Sequence, residues 1–433
     1  DGEPLYQDFL QFPHVITPYP PVQPVVSGLL SRLLGLSVLE TAGLARGLTF
    51  AASLSAMLLI GLITRQCGAG KLAALAGASL FLPLPFLDEW GFAARPDLPA
   101  VALSLLALLL LVAQPQRAWL AASVAVLAFF TKQTAVALPV AAVLWLLLNK
   151  RWRTALVFAG SWAALTGATL LALELVTGRT YLLNTLFAHL ATPKNGFDLA
   201  MRDFMTLPED AWPALTLALA AGPLLVRDRR PLLPLIYLGV STTLALVSLR
   251  NTGGDVNYLI EPAAAASVPA ALAISWLWQR HGPLRLARIA GSVALAGAVV
   301  YWGLDTWDYW RLDGGVNPGP MALDEIAAAD SVLSEEPLGV LLAGRPLLVS
   351  DTFHLSMLTT SGFFDPLELE RRIKRSEFDL IITRSDIRSA RWWKRQLLLP
   401  EGVRLAIKDV YVPDGRVGIY WLYRPEDRRG SRR

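Results

Sequence analysis

Residues 95–133 read RPDLPAVALSLLALLLLVAQPQRAWLAASVAVLAFFTKQ, and this stretch decides the fold class. Two apolar runs, 98–113 and 118–130, are separated by a short polar break and bounded by Arg95 and Lys132. Runs of this kind are typical of helices that enter a membrane and return to the side that they left. The pattern therefore predicts a mainly α, polytopic transmembrane protein.

The composition of the whole chain agrees with this prediction. Of the 433 residues, 54% are hydrophobic and 17% are charged. Soluble domains carry about 25% charged residues, so the composition excludes a disordered chain, a disulfide-rich secreted module and a typical cytosolic enzyme. The net charge of +4 requires no nucleic acid as a partner, because membrane proteins concentrate Lys and Arg in their cytoplasmic loops.

Ten apolar runs approach the length of about 20 residues that a membrane helix needs. They are 46–64, 72–87, 98–113, 118–130, 134–148, 154–176, 212–226, 232–249, 257–278 and 286–304. The pair 118–130 and 134–148 fits a re-entrant hairpin as well as two crossings, and both leave the later topology unchanged. Residues 22–36 are shorter, and we interpret them as a helix in the outer interface, with a short spanning helix as the alternative.

The loops between these runs fall into two alternating sets. One set has eleven basic residues in short loops: 65–71, 114–117, 149–153, 227–231 and 279–285. The other set has six basic residues in longer loops: 88–97, 131–133, 177–211 and 250–256. The positive-inside rule places the first set in the cytoplasm. The second set, the N-terminal 45 residues and the C-terminal tail are then expected outside.

The composition changes after residue 304, and the last 121 residues have the pattern of a soluble α/β domain. Helices are predicted at 321–333 and 366–376, and strands at 338–342, 346–350, 378–383, 403–411 and 416–423. The predicted domains are thus a membrane domain at 1–312 and an extracytoplasmic α/β domain at 313–433. The first outer loop is expected at 1–45 and the membrane helices at 46–304.

Ionisable residues collect in the predicted outer loops, where charge near hydrocarbon is costly and indicates function. Arg95 has the planar donor fork that suits phosphate, whereas Asp97 also suits a helix cap. Lys132 is placed either to extend toward the outer interface or to meet a lipid phosphate. Arg250 begins the last outer loop.

That last loop, residues 250–262, reads RNTGGDVNYLIEP. Asn257 and Glu261 are one helical turn apart and share a face, with Tyr258 beside them. Glu261 lies one turn inside an apolar helix, a position where a charge that only faces solvent is not expected. The four histidines are scattered without metal-site spacing. An outer-loop carboxylate could still bind a divalent cation.

The N-terminal loop begins DGEPLYQDF and continues to Thr17-Pro18-Tyr19-Pro20-Pro21. A carboxylate in this loop could act as a general base toward a hydroxyl group. The alternative is that these acids only cap turns in a solvated loop.

These outer motifs resemble, in order, those of the GT-C membrane glycosyltransferases. The similarity is to the bacterial enzymes related to the family 39 protein mannosyltransferases and to the rhizobial lipopolysaccharide glycosyltransferases. The matching stretches are residues 2–8, 19–21, Arg46, residues 95–97, residues 131–134 and residues 257–262.

The resemblance implies a GT-C helical bundle that moves a sugar from a polyprenyl phosphate or pyrophosphate to a lipid, glycan or protein acceptor. Transfer is expected on the outer face of a bacterial-type inner membrane. An acid of the first outer loop would deprotonate the acceptor hydroxyl, and Asp8 is preferred over Asp1 because it lies within the matched stretch. The residues implied in binding the donor phosphate or the substrate are Tyr6, Arg95, Asp97, Lys132, Arg250, Asn257, Tyr258 and Glu261.

In this family a membrane helix followed by an acid precedes the Gly-x-Pro-Leu-Tyr stretch. The present sequence begins almost at that stretch. We therefore expect that it lacks its first helix, and that the usual catalytic acid is missing with it.

Two other functions fit parts of the sequence. A transporter or flippase for a lipid-linked or anionic substrate would also need buried polar groups, but transporters tend to carry inverted repeats and helices broken at midplane. A membrane scaffold could bind a partner through the C-terminal domain, for example through residues 391–394. The scaffold, unlike the enzyme, has no need of ordered outer motifs.

Overall fold

The structure is a computed structural model. It describes residues 4–81, 90–91, 93–225, 232–280, 322–388 and 399–426. The chain forms two compact units. We call residues 19–170 and 194–314 the bundle unit, and residues 1–18, 171–193 and 315–433 the mixed unit.

Helices α1 to α7 form the first part of the chain. They are α1 Val22–Leu34, α2 Val38–Gln66, α3 Lys71–Phe81, α4 Asp97–Ala113, α5 Ala118–Thr131, α6 Ala137–Leu148 and α7 Trp152–Val176, whose last residues, from 171 on, belong to the mixed unit. The start of α2 is fixed by a capping box, in which the side chains of Ser37 and Glu40 each bind the other residue's backbone N–H.

Four more helices complete the described part of the bundle unit. They are α8 Phe197–Asp210, α9 Trp212–Leu225, α10 Leu232–Ser248 and α11 Ile260–Arg280. Nine of the ten predicted apolar runs coincide with helices, and the tenth, 286–304, lies outside the described residues. Among the described segments, Val38–Gln66, Trp152–Val176 and Val256–Trp276 are long and apolar enough to cross a membrane.

Small residues bring the backbones of the bundle helices close together. A Cβ atom added to Gly77 of α3 would lie 2.5 Å from Cβ of Ala271 and 3.1 Å from the carbonyl oxygen of Ser267, both on α11. Since the lipid around a membrane helix is as apolar as a leucine side chain, close contact of this kind is what holds such helices together. The alanines of α11 between residues 263 and 273 are accordingly buried.

The mixed unit contains a four-stranded sheet of order β1-β2-β4-β3, with strands β1 Val332–Ser334, β2 Leu380–Thr383, β3 Tyr411–Val417 and β4 Tyr420–Pro425. β1 pairs parallel to β2, and the other two pairs are antiparallel. In its C-terminal part the described helices are α12 Leu323–Ala327, α13 Pro337–Leu342, α14 Thr352–Thr360, α15 Leu367–Lys374 and α16 Glu401–Val410. Three short helical segments of this unit, Thr180–Leu182, Leu183–Phe187 and Ala188–Ala191, follow α7. The class of the fold, a helical membrane bundle with a small α/β domain, is as predicted.

Several predicted elements of the α/β domain are wrong. The predicted strand at 403–411 is helix α16, in which Val403, Ala406 and Ile407 are buried at helical spacing. Its β-branched residues suggested a strand, but the burial of one helical face overrode that local preference. The predicted strand at 338–342 is helix α13, which begins with a proline in its first turn.

Two other predictions also need correction. The helix predicted at 321–333 ends at Ala327, and β1 begins at Val332. The strand predicted at 346–350 is reduced to a single parallel bridge between Val349 and His14. The predicted domain boundary at residues 312 and 313 lies outside the described residues.

A glycine-to-alanine pair tests the close packing of α3 on α11. Gly77→Ala forces its new methyl group against Ala271, so we expect a loss of about 1–3 kcal/mol in the free energy of unfolding. Gly160→Ala on α7 is the control, because nothing lies within 4 Å of its added Cβ, and it should be neutral or stabilising by up to about 1 kcal/mol. Thermal unfolding in one detergent measures both, and an unchanged Tm for Gly77→Ala would contradict this packing.

Candidate active site

Asp97 is the centre of the polar site in the bundle unit. It is the first residue of α4 and is 2% exposed. Its Oδ1 accepts hydrogen bonds from Nζ of Lys132 at 2.5 Å and from Nδ2 of Asn257 at 2.6 Å. These three residues come from the start of α4, the end of α5 and the turn before α11, so the folded bundle unites three motifs that are far apart in sequence.

Lys132 is buried within this cluster. Its side chain is 10% exposed, and its ammonium lies 4.4 Å from the centre of the Tyr258 ring. An ammonium over an aromatic face gains a cation–π attraction in addition to its ion pair. The side chain therefore points into the protein, not outward to a lipid interface, and Asp97 does more than cap a helix.

Glu261 is held by Tyr237, a residue that the sequence analysis did not select. Tyr237 of α10 is fully buried, and its hydroxyl donates a hydrogen bond of 2.7 Å to Oε1 of Glu261. A tyrosine inside an apolar helix needs a partner for its hydroxyl when it is buried, and that requirement was the available signal. Only the packing of α10 on α11 identifies the partner.

A polar cavity joins these groups. Its polar lining consists of Asp97, Lys132, Thr134, Ser241, Ser248, Asn257, Tyr258 and Glu261. Oδ2 of Asp97 is buried and has no hydrogen-bond partner among the described residues. Since a buried polar atom without a partner is unfavourable, this oxygen is available to accept a hydrogen bond from a bound molecule.

Arg95 and Tyr19 lie close to the same cluster. The guanidinium of Arg95 is 4.4 Å from the centre of the Trp90 ring. Burial raises the pKa of the Tyr19 hydroxyl, and the nearby charges of Arg95, Asp97 and Lys132 act on it as well. Tyr19 immediately precedes the prolines that lead into α1. The turn before α1 therefore brings the Tyr19 side chain to this cluster.

An apolar groove lies in the same unit between α1, α2 and α4. Its lining includes Val22 and Val26 of α1, Ala52 and Leu59 of α2, Ala102 and Leu106 of α4, and Thr131. Thr131 is the direct neighbour of Lys132 in the chain. The groove therefore comes close, through the end of α5, to the charged cluster.

The remaining predicted site residues lie elsewhere. Asp8 and Tyr6 belong to the mixed unit, where Asp8 accepts hydrogen bonds from the backbone N–H of Leu10 and from Nε2 of Gln11. Arg250 is exposed at the end of α10 and is not part of the cavity lining. Asp1 lies outside the described residues, and the described residues contain no group of three or more acidic, histidine or cysteine side chains suited to a metal ion.

Comparisons with known proteins identify the architecture. Residues 20–178 match the family described as dolichyl-phosphate-mannose-protein mannosyltransferase. The structure is similar to ArnT from Cupriavidus metallidurans bound to undecaprenyl phosphate, with a TM-score of 0.65 and 13% identity over 95% of this chain and 89% of that chain. None of the curated proteins matches the chain significantly.

A second relative is the Archaeoglobus fulgidus oligosaccharyltransferase AglB. Its complex with an inhibitory peptide and a dolichol-phosphate matches with a TM-score of 0.54 and 13% identity, over 95% of this chain and 67% of that chain. The chain is thus similar to a mannosyltransferase family over residues 20–178, and its fold is similar to those of ArnT and of an oligosaccharyltransferase.

Removing the ammonium of Lys132 tests the buried ion pair. Lys132→Met leaves the Asp97 carboxylate buried without its counter-charge, which should cost about 3–5 kcal/mol in the free energy of unfolding. Lys71→Met at the exposed start of α3 is the matched control and should change it by less than about 0.5 kcal/mol. Adding Asp97→Asn to Lys132→Met should recover part of the loss. Equal unfolding temperatures for Lys132→Met and Lys71→Met would refute the pairing.

Proposed function

We propose that the protein transfers a sugar from a polyprenyl-phosphate or pyrophosphate carrier to a hydroxyl group of a cell-envelope acceptor. The observation that carries this proposal is the buried cluster of Asp97, Lys132 and Asn257, which lines a polar cavity in a GT-C bundle. A protein that served only as a membrane anchor would have no need of charges buried at such a cost.

The apolar groove is our candidate site for the polyprenyl chain. Three helices supply its apolar lining, and its end at Thr131 is next to the cation that would meet the phosphate. The structures of two relatives were determined with undecaprenyl phosphate and with a dolichol-phosphate. A lipid-linked donor accounts for an apolar groove and a charged cluster in one unit.

The cations of the site have a defined task in this reaction. When the bond between the sugar and the phosphate breaks, negative charge develops on the departing phosphate, and fixed donors stabilise it. Lys132 is oriented for this by Asp97 and Tyr258. Arg95 has no acidic partner among the described residues, so its guanidinium fork is available for phosphate oxygens.

Asp8 remains our candidate for the general base toward the acceptor, and Tyr6 and Arg250 remain candidate substrate contacts. Glu261, held by Tyr237, and the hydroxyl groups of the cavity are suited to bind the hydroxyl groups of a sugar. The acceptor is a lipid, a glycan or a protein. The charge distribution of the loops supports an active site and an α/β domain on the outer face of an inner membrane.

Transfer itself is tested with purified protein in lipid nanodiscs and a panel of labelled polyprenyl-phosphate sugars. We expect label to move from at least one donor into envelope lipid or glycan, and Asp8→Asn to lower kcat at least about 100-fold. Lys194→Met, in an exposed contact with Asn251, is the control with normal activity. Movement of intact lipid-linked sugar across vesicles without transfer would favour a flippase instead.

Two neighbouring alanines of α2 test the groove. Ala52 lines it, whereas Ala51 is exposed and is not part of its lining. Ala52→Phe should fill the groove and raise KM for a long-chain donor about tenfold or more, since about 1.4 kcal/mol of lost binding is tenfold. Ala51→Phe should leave KM unchanged, and equal KM values for the two variants would exclude this groove as the lipid site.

A further inference from the structure

A tightly packed turn follows α7 in the mixed unit. Residues Leu183–Phe187 form a π-helical turn directly after the short helix Thr180–Leu182. Turns of this type are rare and are frequently found at functional sites. Asn184 lies within this turn and is fully buried.

The side chain of Asn184 holds two points of the first outer loop, at residues 7 and 17. Its Oδ1 accepts a hydrogen bond from the backbone N–H of Thr17 at 2.9 Å, and its Nδ2 donates to the carbonyl oxygen of Gln7 at 2.8 Å. Nδ2 also donates to the carbonyl oxygen of Thr180 at 2.8 Å. One amide group therefore links residues 7 and 17, ten positions apart.

Two neighbours of Asn184 act on the same part of the loop. The hydroxyl of Thr180 donates to the carbonyl oxygen of Tyr6 at 2.9 Å, and the ring of Tyr181 meets the Tyr6 ring edge to face at 5.1 Å. The hydroxyl of Thr17 donates to the carbonyl oxygen of Leu5. The backbone of residues 5–7 is thus fixed immediately before Asp8.

The far end of the loop is anchored to the α/β domain. The hydroxyl of Ser350 accepts a hydrogen bond from the N–H of Ile16 and donates to the carbonyl oxygen of the same residue, both at 2.9 Å. His14 forms the parallel bridge to Val349. With one end anchored here, Asn184 supplies the link that fixes the other end.

We propose that Asn184 is a positioning residue for sugar transfer, because it fixes the backbone that aims the carboxylate of Asp8. The described hydrogen bonds of that carboxylate are local, to Leu10 and Gln11, so its direction follows from the backbone at Gln7. The task requires a donor and an acceptor in one side chain, which an amide supplies. This inference rests on the proposed function, in which Asp8 is the general base.

Asn184→Asp tests the proposal through a pH profile. An ionised carboxylate would face the carbonyl oxygens of Gln7 and Thr180 without a hydrogen to donate, whereas a protonated carboxyl can donate one. Burial raises the pKa of such a carboxyl, so the variant should be neutral at low pH and ionised at high pH. We expect kcat relative to wild type to fall about tenfold or more near pH 8 and to recover near pH 5.5, with KM for the donor changed less than about twofold.

Asn149→Asp is the matched control, because among the described residues the Asn149 side chain donates to the carbonyl oxygen of Trp145, in the helix that it follows. Its kcat relative to wild type should not change with pH. A loss in Asn184→Asp that does not recover at low pH, or no loss at any pH, would overturn the positioning role while leaving transfer by the wild type intact.

Hydrogen exchange separates this inference from the proposed function. In Asn184→Ala the N–H of Thr17, which loses its acceptor, and the N–H of Phe9, which donates to the carbonyl oxygen of Gln7, should exchange faster than in wild type, whether or not a sugar is transferred. Unchanged exchange at these N–H groups would show that Asn184 does not fix this part of the loop. If wild type transfers no sugar from any donor, the proposed function fails. The positioning role then fails with it, even if hydrogen exchange shows that Asn184 fixes this part of the loop.

Discussion

The ion pair between Asp97 and Lys132 is the interaction on which the bundle unit depends. Two charges inside an apolar bundle are tolerated only when they are paired and their remaining hydrogen-bonding atoms are satisfied. Asn257 and the ring of Tyr258 provide part of that environment. Because the four residues lie on three elements, α4, α5 and the turn before α11 must pack in one arrangement for any of the charges to be stable.

Stability and function compete at this site. A second oxygen of Asp97 is buried without a described partner, and eight polar or charged residues line the cavity. Small residues on the supporting helices compensate, because the close approach of α3 to α11 at Gly77 maximises contact between backbones. The bundle thus supplies rigid packing around a polar cavity, an arrangement suited to orienting bound substrates.

The sequence predicted the helices of the bundle unit well because long apolar runs permit few other structures. It was less successful in the α/β domain, where α16 was assigned as a strand although its buried residues, Val403 and Ile407, have helical spacing. In short segments of mixed polarity, the secondary-structure preference of the residues can conflict with the face that is buried. Which face is buried depends on the elements that pack against the segment. Tyr237 and Asn184 were also missed, since their partners are 24 and 177 residues away at Glu261 and Gln7.

The sequence by itself determined that the chain is a helical membrane protein, where most of its helices lie and which loop motifs carry polar groups. Those conclusions depend on hydrophobicity and charge, which each segment carries alone. Only the tertiary structure decided that Asp97, Lys132 and Asn257 share one hydrogen-bonded cluster, that Arg250 is not in the cavity lining, and that residues 1–18 belong to the mixed unit. A hydrogen bond needs two atoms within about 3 Å, and that distance is set by how distant segments pack.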